Sequence, residues 1–428
     1  MSILRKHSWL FFFLGLALVI RFLLAIVMLQ PGYLVNDDLN RYGDWGRIVN
    51  QYGASSSYTM QHISFGLNPN NQPPGTEYVY AAMYSLATTY FHIFGGSLMH
   101  VYNIFLKLPS IIADLLIGSF IYICVRRKAT QKMALAASAL FLFNPSVIYN
   151  SAIWGQSDAL DNAFFYASLL SFFNRKYFLS VVAFFFSLYI KISLLPLLPL
   201  LLFFILKETK YAFGKVIVYL VSAAAIIVVM TFPVSFTPWT WLSNFFLHNS
   251  GGELPYIANY SFNFWTVIYN PDIFSLLPKS DAIVWALPLS VWGQLLFALF
   301  YVPLFVAIIR QKKTEMSFVF AIMLLAAFAL YMFYPRMHQR YLYPVFPLLA
   351  TYIGYVGLQK KWYIPYLLLT IVNFFNLYVV WHPSNFMPGF ISAIIVHSKV
   401  RWGMSWTLLV LFLYIYYEMF FRKFLKKL

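Results

Sequence analysis

The sequence of 428 residues predicts an all-α polytopic membrane protein, a bundle of about twelve transmembrane helices. Hydrophobic residues make up 61% of the chain and charged residues only 10%, too little charge to cover the surface of a soluble protein. Aromatic residues reach 21%, and Trp and Tyr favour the two membrane–water interfaces. We therefore expect a single integral membrane domain over residues 1–428.

Apolar runs of roughly the length of a membrane helix recur along the chain. The predicted spans are 9–29, 101–125, 132–149, 160–174, 177–191, 193–206, 214–232, 287–309, 316–334, 341–358, 363–380 and 404–421. Three of these share residues 160–206, so we expect short, tilted or broken helices there, with breaks at Lys191 and Pro196. The first span follows a basic flank without a small-residue cleavage site, which favours a retained helix over a signal peptide.

The formal net charge of +17 is distributed in small basic clusters between the apolar runs. This distribution is typical of cytoplasmic loops and argues against a nucleic-acid-binding surface. With both termini in the cytoplasm, the predicted spans place every cluster on one side and most of the 13 acidic residues on the other. The single cysteine, Cys124, lies in an apolar run and excludes a disulfide framework or a cysteine-based metal site.

Two long extracytoplasmic loops are predicted, at residues 30–100 and 233–286. The first contains an apolar run from Tyr78 to Phe94. If this run crossed the membrane, the basic cluster at 126–128 would change sides, so we expect a helix that lies in the interface or re-enters. Because the cytoplasmic loops are short, any chemistry is expected on the extracytoplasmic side.

The first loop carries two adjacent acids, Asp37 and Asp38, just beyond the first span. Tyr42 and Trp45 follow Asp38 at offsets that share one helical face. Such a pair of carboxylates suits a metal site, a general base or the N-cap of a helix, and the residues alone leave these roles open.

Lys107 and Asp114 lie seven residues apart at the start of the second predicted span, on one face of the helix. Ionisable residues inside a span are functional or form a structural ion pair. After the third span come Trp154, Gln156 and Asp158, whose amide and carboxylate suit hydrogen bonds to sugar hydroxyls. Trp154 alone is also explained as an interfacial anchor.

A basic cluster, Arg336, His338 and Arg340, falls between the ninth and tenth spans, on the side expected to be poor in positive charge. It indicates an anionic partner such as a phosphate, which Lys191 would help to bind, or else a lipid headgroup or a salt bridge to the first loop. In the second loop, Asn263 and Trp265 suit either a carbohydrate ring or interfacial anchoring.

At these residues the chain resembles the GT-C superfamily of polytopic glycosyltransferases. Within it, the chain is most similar to dolichyl-phosphate-glucose glucosyltransferases and bacterial mannosyltransferase-like proteins. The likeness rests on elements in family order, which are Asp38 to Trp45, Lys107 before Ile112–Leu116, Asn144-Pro145 before Gln156, and His338 with Arg340. Two departures are Trp154-Gly155, the form of the bacterial relatives, and Asp38-Leu39-Asn40 where the eukaryotic enzymes have Asp-x-Glu.

The resemblance implies an inverting transferase that moves a hexose from a polyprenyl-phosphate sugar to a hydroxyl of a glycan, glycolipid or glycoprotein. Asp38, or alternatively Asp37, would be the general base. Arg336, His338 and Arg340, with Lys107 or Lys191, would bind the donor phosphate. Trp154, Gln156, Asp158, Asn263 and Trp265 would contact sugar or acceptor. No cofactor is required, although some relatives bind a divalent metal near the first-loop acids.

Two other classes of function are kept beside the transferase. A secondary transporter or lipid flippase would place ionisable groups at the bilayer midplane and often shows inverted repeats, whereas here the acids collect at one face. A non-catalytic subunit of a membrane assembly would have no need for Asp38, Gln156 and His338. The expected location is a bacterial plasma membrane, with the active site extracytoplasmic.

Overall fold

A computed structural model describes residues 7–28, 37–60, 70–249, 254–270, 277–383 and 386–424. Parts of both predicted loops therefore lie outside the described residues, as does the side chain of Asp37. The described chain is almost entirely helical. Its α-helices are α1 Ser8–Val27, α2 Asp37–Tyr52, α3 Pro74–Phe94, α4 Leu98–Arg126, α5 Gln131–Leu142, α6 Pro145–Ile148, α7 Asp158–Phe173, α8 Tyr177–Ile190, α9 Leu198–Glu208, α10 Phe213–Met230, α11 Pro238–Asn249, α12 Phe264–Tyr269, α13 Leu289–Arg310, α14 Met316–Phe333, α15 Val345–Val356, α16 Lys360–Val380, α17 Gly389–Val396 and α18 Ser398–Tyr416.

The remaining regular structure is short. Tyr149–Trp154 and Tyr417–Phe424 form π-helical turns, and Ala54–Tyr58, Ile192–Leu197 and Gln339–Leu342 form 3₁₀ turns. Four strands of two residues each pair locally: β1 Ala258–Asn259 runs parallel to β4 Met337–His338, and β2 Ile283–Val284 runs antiparallel to β3 Leu287–Pro288.

Every predicted span contains a helix, and the prediction of an all-α polytopic membrane protein is confirmed. Among the described residues, seven helices are long and apolar enough to cross a bilayer: α1, α4, α10, α13, α14, α16 and α18 with its π turn. An eighth candidate is α5 together with Pro145–Trp154, which are bent by 47° at the break between them. The crowded region 160–206 is broken where expected, because α8 ends at Ile190 and a 3₁₀ turn containing Pro196 precedes α9.

The described chain divides into two compact units, and the first comprises described residues within 1–120, 148–195 and 213–250. In it α7 packs along α8, α8 packs on α10, and α2 packs on α3. At the α2–α3 interface the rings of Tyr42 and Tyr80 stack at 4.6 Å. A Cβ at Gly46 would lie 2.4 Å from the carbonyl oxygen of Tyr80, so the close approach of α2 and α3 requires glycine there.

The second unit comprises described residues within 121–147, 196–212 and 251–428. Its centre is α14, which is buried from Phe318 to Phe333 and packs against α13, α15 and α18. Helix α15 also packs on α5, and Gly354 lets them approach, since a Cβ there would lie 2.9 Å from Ala137. An amide–hydroxyl network crosses this unit, with Asn376 bonded to Tyr331 and to the backbone of Tyr260 and Phe262.

One buried carboxyl fixes the start of α3. Glu77 lies in the first turn, is fully buried, and accepts hydrogen bonds from Ser57 and from the amide of Asn70. Asn70 in turn donates its backbone N–H to the carbonyl oxygen of Ser57. Helix α3 is not among the membrane-span candidates, and burial raises the pKa of Glu77 from 4.5 to about 8.

This carboxyl makes the stability of the fold depend on pH. The unfolded chain releases the Glu77 proton near pH 4.5, whereas the folded chain keeps it until about pH 8. The contribution of Glu77 to the free energy of unfolding is therefore fully present below pH 4.5. It decreases by about 1.4 kcal/mol for each pH unit up to pH 8.

We expect Glu77→Gln to preserve the contacts with Ser57 and Asn70 and to remove this part of the pH dependence. The measurement is the thermal midpoint of detergent-purified protein between pH 5 and 8.5, followed by tryptophan fluorescence. The thermal midpoint of the variant should exceed that of the wild type most at pH 8. Parallel losses of stability in the two proteins would contradict the assignment.

Candidate active site

The first unit brings together two of the predicted motifs, 118 residues apart in sequence. The amide Nε2 of Gln156 donates to Oδ2 of Asp38 at 2.7 Å. The hydroxyl of Tyr42, one helical turn after Asp38, donates to Oε1 of Gln156 at 3.3 Å. Gln156 is fully buried, whereas Asp38 is partly exposed. The buried amide therefore orients the carboxylate of a partly exposed residue.

The backbone before Gln156 is irregular, and this irregularity places its side chain. The π-helical turn Tyr149–Trp154 ends in Gly155, which adopts a left-handed conformation with φ 83°. The backbone N–H groups of Gly155 and Gln156 both donate to the carbonyl oxygen of Asn150. Ser110 on α4 donates to the carbonyl oxygen of Gln156 at 2.6 Å. Short π-helical turns inside helices are frequent at functional sites.

Gly155 is also required by packing. A Cβ at this position would lie 2.8 Å from the Leu39 side chain and 3.2 Å from Cγ of Lys107. Leu39 follows Asp38 directly, so α2, α4 and the segment carrying Gln156 meet at this glycine. Gly155 thus permits this close approach, and Trp154 is buried and does not lie at an exposed interface.

Asp114 does not pair with Lys107, its neighbour on the same helical face. Its Oδ2 lies 2.9 Å from Nε of Arg21 on α1 and accepts a hydrogen bond of 2.6 Å from Ser151 in the π-helical turn. All three side chains are fully buried. Of the two interpretations left open by the sequence, the structure supports a structural ion pair for Asp114, which ties α1 and α4 to the segment before Gln156.

Lys107 is different. It is only 1% exposed, and its ammonium makes no hydrogen bond or ion pair with any residue in the described part of the chain. A buried cation without a counter-charge is unfavourable, so this position suits an anionic ligand. Because Lys107 packs against Gly155, its stem lies next to the residue that precedes Gln156.

Lys191 and Asp158 were predicted for different roles, and the structure pairs them. The Lys191 ammonium hydrogen-bonds Oδ1 of Asp158, with both side chains almost fully buried. Lys191 follows the last residue of α8 at the predicted break, and Asp158 begins α7. Asp161 nearby accepts a hydrogen bond from Ser193 at 2.8 Å. This ion pair gives both residues a structural role, while the predicted contacts of Lys191 with phosphate and of Asp158 with sugar remain predictions.

Tyr80 is a site residue that sequence reasoning missed. It is fully buried and stacked on Tyr42, and its hydroxyl has no hydrogen-bond partner among the described residues. Burial raises its pKa well above 10, and the nearby carboxylates of Asp158 and Asp38 act in the same direction. Its phenol thus stays protonated beside two acids. Nothing in the apolar run 78–94 distinguishes Tyr80 from its neighbours.

In the second unit, the predicted basic residues follow an alternating pattern. Arg336, His338 and Arg340 are partly exposed, whereas Met337 and Gln339 between them are buried. The backbone N–H of Arg336, a residue with φ 62°, donates to the carbonyl oxygen of Ile257 at 2.7 Å. Pairing of β4 with β1 then sets His338 opposite Asn259. All three basic side chains are thus partly accessible, as an anion-binding segment requires, although only Met337–His338 is extended and Arg340 lies in the 3₁₀ turn Gln339–Leu342.

Asn263 and Trp265 lie in the same unit, and both are used to fold their loop. Oδ1 of Asn263 caps α12 by accepting from the backbone N–H of Trp265, and its amide donates to the carbonyl oxygen of Tyr331. Nε1 of Trp265 donates to the carbonyl oxygen of Phe333 at 3.0 Å. Both side chains are almost fully buried. These contacts explain the two residues structurally, and neither is an exposed interfacial anchor; their contact with sugar stays a prediction.

A metal site would need a cluster of ligands. Within the part of the chain that the structure describes, no three His, Cys, Asp or Glu side chains lie close enough to hold a metal ion. Asp37, the other predicted acid, begins α2, and its side chain lies outside the described residues. Metal dependence and the choice between the two aspartates therefore stay as predicted from the sequence.

Comparisons with known proteins give two results. The family described as GPI transamidase subunit PIG-U matches residues 79–263. ArnT from Cupriavidus metallidurans is similar in structure, both bound to undecaprenyl phosphate and in the apo state, with TM-score 0.51 and 16% identity. The matches cover 96% of this chain and 77% and 75% of the two ArnT chains. No curated protein matches the sequence.

At this level of identity the likeness to ArnT shows the fold. The chain is an integral membrane protein whose polytopic all-α fold is similar to that of ArnT. The family match covers less than half of the chain, and fold alone does not define a reaction.

The contrast between the two buried lysines of the first unit can be tested by stability. Lys191→Gln removes one partner of a buried ion pair and leaves Asp158 uncompensated, which typically costs about 3–5 kcal/mol. Lys107→Gln removes an unpaired buried charge, so the thermal midpoint should stay unchanged or rise. The measurement is thermal unfolding of both detergent-purified variants. A loss for Lys107→Gln as large as that for Lys191→Gln would show that Lys107 has a structural partner.

Proposed function

We propose that this protein is an inverting glycosyltransferase that uses a polyprenyl-phosphate-linked hexose as donor and acts at the extracytoplasmic face of the membrane. The observation that carries the proposal is the hydrogen bond from Gln156 to Asp38, which orients a partly exposed carboxylate within a GT-C fold. The ArnT structure with undecaprenyl phosphate supports a polyprenyl-phosphate ligand for the fold.

In the proposed reaction, Asp38 accepts the proton of an acceptor hydroxyl. The acceptor oxygen attacks the anomeric carbon, and the bond between that carbon and the phosphate oxygen breaks as the lipid phosphate leaves with the electron pair. One displacement inverts the anomeric configuration. A general base typically raises the reaction rate 10²–10⁴-fold, and its carboxylate must point at the attacking hydroxyl. We propose that Gln156 holds the Asp38 carboxylate in this orientation.

The donor phosphate carries negative charge before and after transfer. In the first unit Lys107 supplies a buried cation with no counter-charge among the described residues. The resemblance given above implies that Arg336, His338 and Arg340, which lie in the second unit, are also suited to charge-assisted hydrogen bonds with a phosphate. A preorganised donor of this kind is worth on the order of 3 kcal/mol in the transition state.

A second candidate is a non-catalytic subunit of a membrane complex, because residues 79–263 match the PIG-U family. The two proposals differ in what they require of Asp38. A transferase loses its product when the carboxylate is neutralised, whereas a subunit keeps its function as long as it folds. Mass spectrometry of cell-envelope glycans from strains carrying wild-type or neutralised Asp38 separates them.

We expect Asp38→Asn to lower sugar transfer by at least about 10²-fold, because the amide still accepts the bond from Gln156 but cannot take a proton. The assay follows radiolabelled hexose from undecaprenyl-phosphate mannose or glucose into membranes of a deletion strain.

The matched control is Asp44→Asn on the same helix, where the native carboxylate contacts Arg47 at 3.3 Å. This variant should keep its activity, and both variants should keep the thermal midpoint of the wild type. Full activity of Asp38→Asn would remove Asp38 from the mechanism.

Gln156→Glu places a second carboxyl against Asp38 at the 2.7 Å contact. Two carboxylates at that separation share a proton, so ionisation of the pair requires a higher pH. We expect the acidic limb of the kcat/KM profile to move up by about one pH unit or more. Gln51→Glu, on the exposed end of α2, should leave the profile unchanged. Identical profiles for Gln156→Glu and wild type would argue against Asp38 as the base.

A further inference from the structure

A short hairpin in the second unit has an unusual turn. Ile283 pairs with Pro288 and Val284 with Leu287, and the two residues between the strands are Trp285 and Ala286. Their φ angles are 47° and 68°. Two-residue turns with positive φ at both positions normally carry Asn and Gly, because a side chain on Cβ is strained there. Trp and Ala at these positions indicate that the tip has a function besides reversing the chain.

The hairpin exposes apolar side chains. Residues 282–288 contain no charged or hydrogen-bonding side chain except the indole N–H of Trp285. Ile283 is 73% exposed and Trp285 is 86% exposed, so the turn presents them away from the unit. Exposed large apolar side chains at a rigid tip are characteristic of a binding surface.

The hairpin is held rigidly on the start of α13. The backbone N–H of Leu289 donates to the carbonyl oxygen of Ala282, and Nε1 of Trp292 donates to that of Val284 at 2.8 Å. The ring of Trp285 lies edge-on to the ring of Trp292, with centroids 6.2 Å apart. The tip therefore keeps a fixed position relative to the first turn of this membrane-span candidate.

The surface next to the hairpin indicates what the exposed tip contacts. Helix α13 carries an exposed apolar stripe whose members are alternately four and three residues apart. Its members are Leu295, Leu299, Val302, Val306 and Ile309. Trp292 lies three residues before the first member, on the same side of the helix. Such a stripe on a span faces lipid, and the contact between Trp292 and Trp285 extends it to the hairpin tip.

We propose that the 283–288 hairpin inserts Ile283 and Trp285 into the interfacial layer of the bilayer at the end of α13. An indole suits this layer because its apolar rings enter the lipid while its N–H meets water or headgroups. Partition of the two side chains offsets the strain of the turn, and the rigid link to Trp292 then fixes the depth of the helix end. This inference concerns the membrane and is independent of the proposed reaction.

The test uses the single cysteine of the chain. Cys124 is buried, so a Cys124→Ala background allows one label at a chosen position. An NBD fluorophore is attached to Trp285→Cys, to Ile283→Cys, which leaves the turn residues unchanged, and to the exposed Asp281→Cys as the matched control. Each protein is placed as one copy in phosphatidylcholine–phosphatidylglycerol nanodiscs and quenched with iodide or with lipids that carry a nitroxide near the headgroup.

We expect the labels at 283 and 285 to be quenched by the nitroxide lipids and to be severalfold less accessible to iodide than the label at 281. Equal iodide quenching at all three positions would place the hairpin in water and overturn the proposal. Protection from iodide without quenching by the nitroxide lipids would show a protein contact and would overturn it as well. Thermal midpoints equal to that of the Cys124→Ala protein verify folding.

Discussion

Backbone polar groups at membrane depth must be satisfied by the protein itself, and this constraint governs where the chain can be irregular. The segment Tyr149–Gln156 departs from α-helical geometry, but it is buried and its carbonyl and N–H groups find partners in Asn150 and Ser110. Irregular backbone is costly against lipid and tolerable inside protein. The same interior position that permits the π-helical turn and the left-handed Gly155 also brings the Gln156 amide to Asp38.

The treatment of buried charge in the first unit divides structural from reactive groups. Arg21 is matched by Asp114, and Lys191 by Asp158, so each pair contributes no net charge to the interior. Pairing matters because breaking a buried ion pair leaves a desolvated charge behind. Lys107, equally buried, has no such partner among the described residues. Folding does not explain its charge, whereas a bound anion would.

The sequence predicted the helices well, because long apolar runs bounded by basic clusters leave few alternatives in a bilayer. It also selected Asp38 and Gln156 as candidates, but their hydrogen bond depends on packing between segments 118 residues apart. The partner of Asp114 was missed for the same reason, since Arg21 lies 93 residues away and the helical spacing pointed to Lys107. Tyr80 was missed because the run 78–94 contains several aromatic residues and nothing in the sequence distinguishes Tyr80 from the others. Asn263 was selected as a sugar contact, and its role as the cap of α12 was not foreseen, because that role depends on where the short helix begins.

The fold is similar to that of ArnT and residues 79–263 match the PIG-U family, but neither likeness defines a reaction, so the choice depends on local chemistry. A subunit needs α2 and α4 to fold, and apolar or neutral residues would serve that purpose. It has no need for Asp38, a partly exposed residue whose carboxylate accepts a hydrogen bond from the buried amide of Gln156. It also gains nothing from a buried lysine without a counter-charge, which lowers stability unless an anion binds. Because both features carry a cost in the folded protein and both suit a base and a phosphate ligand, their presence in one unit favours catalysis.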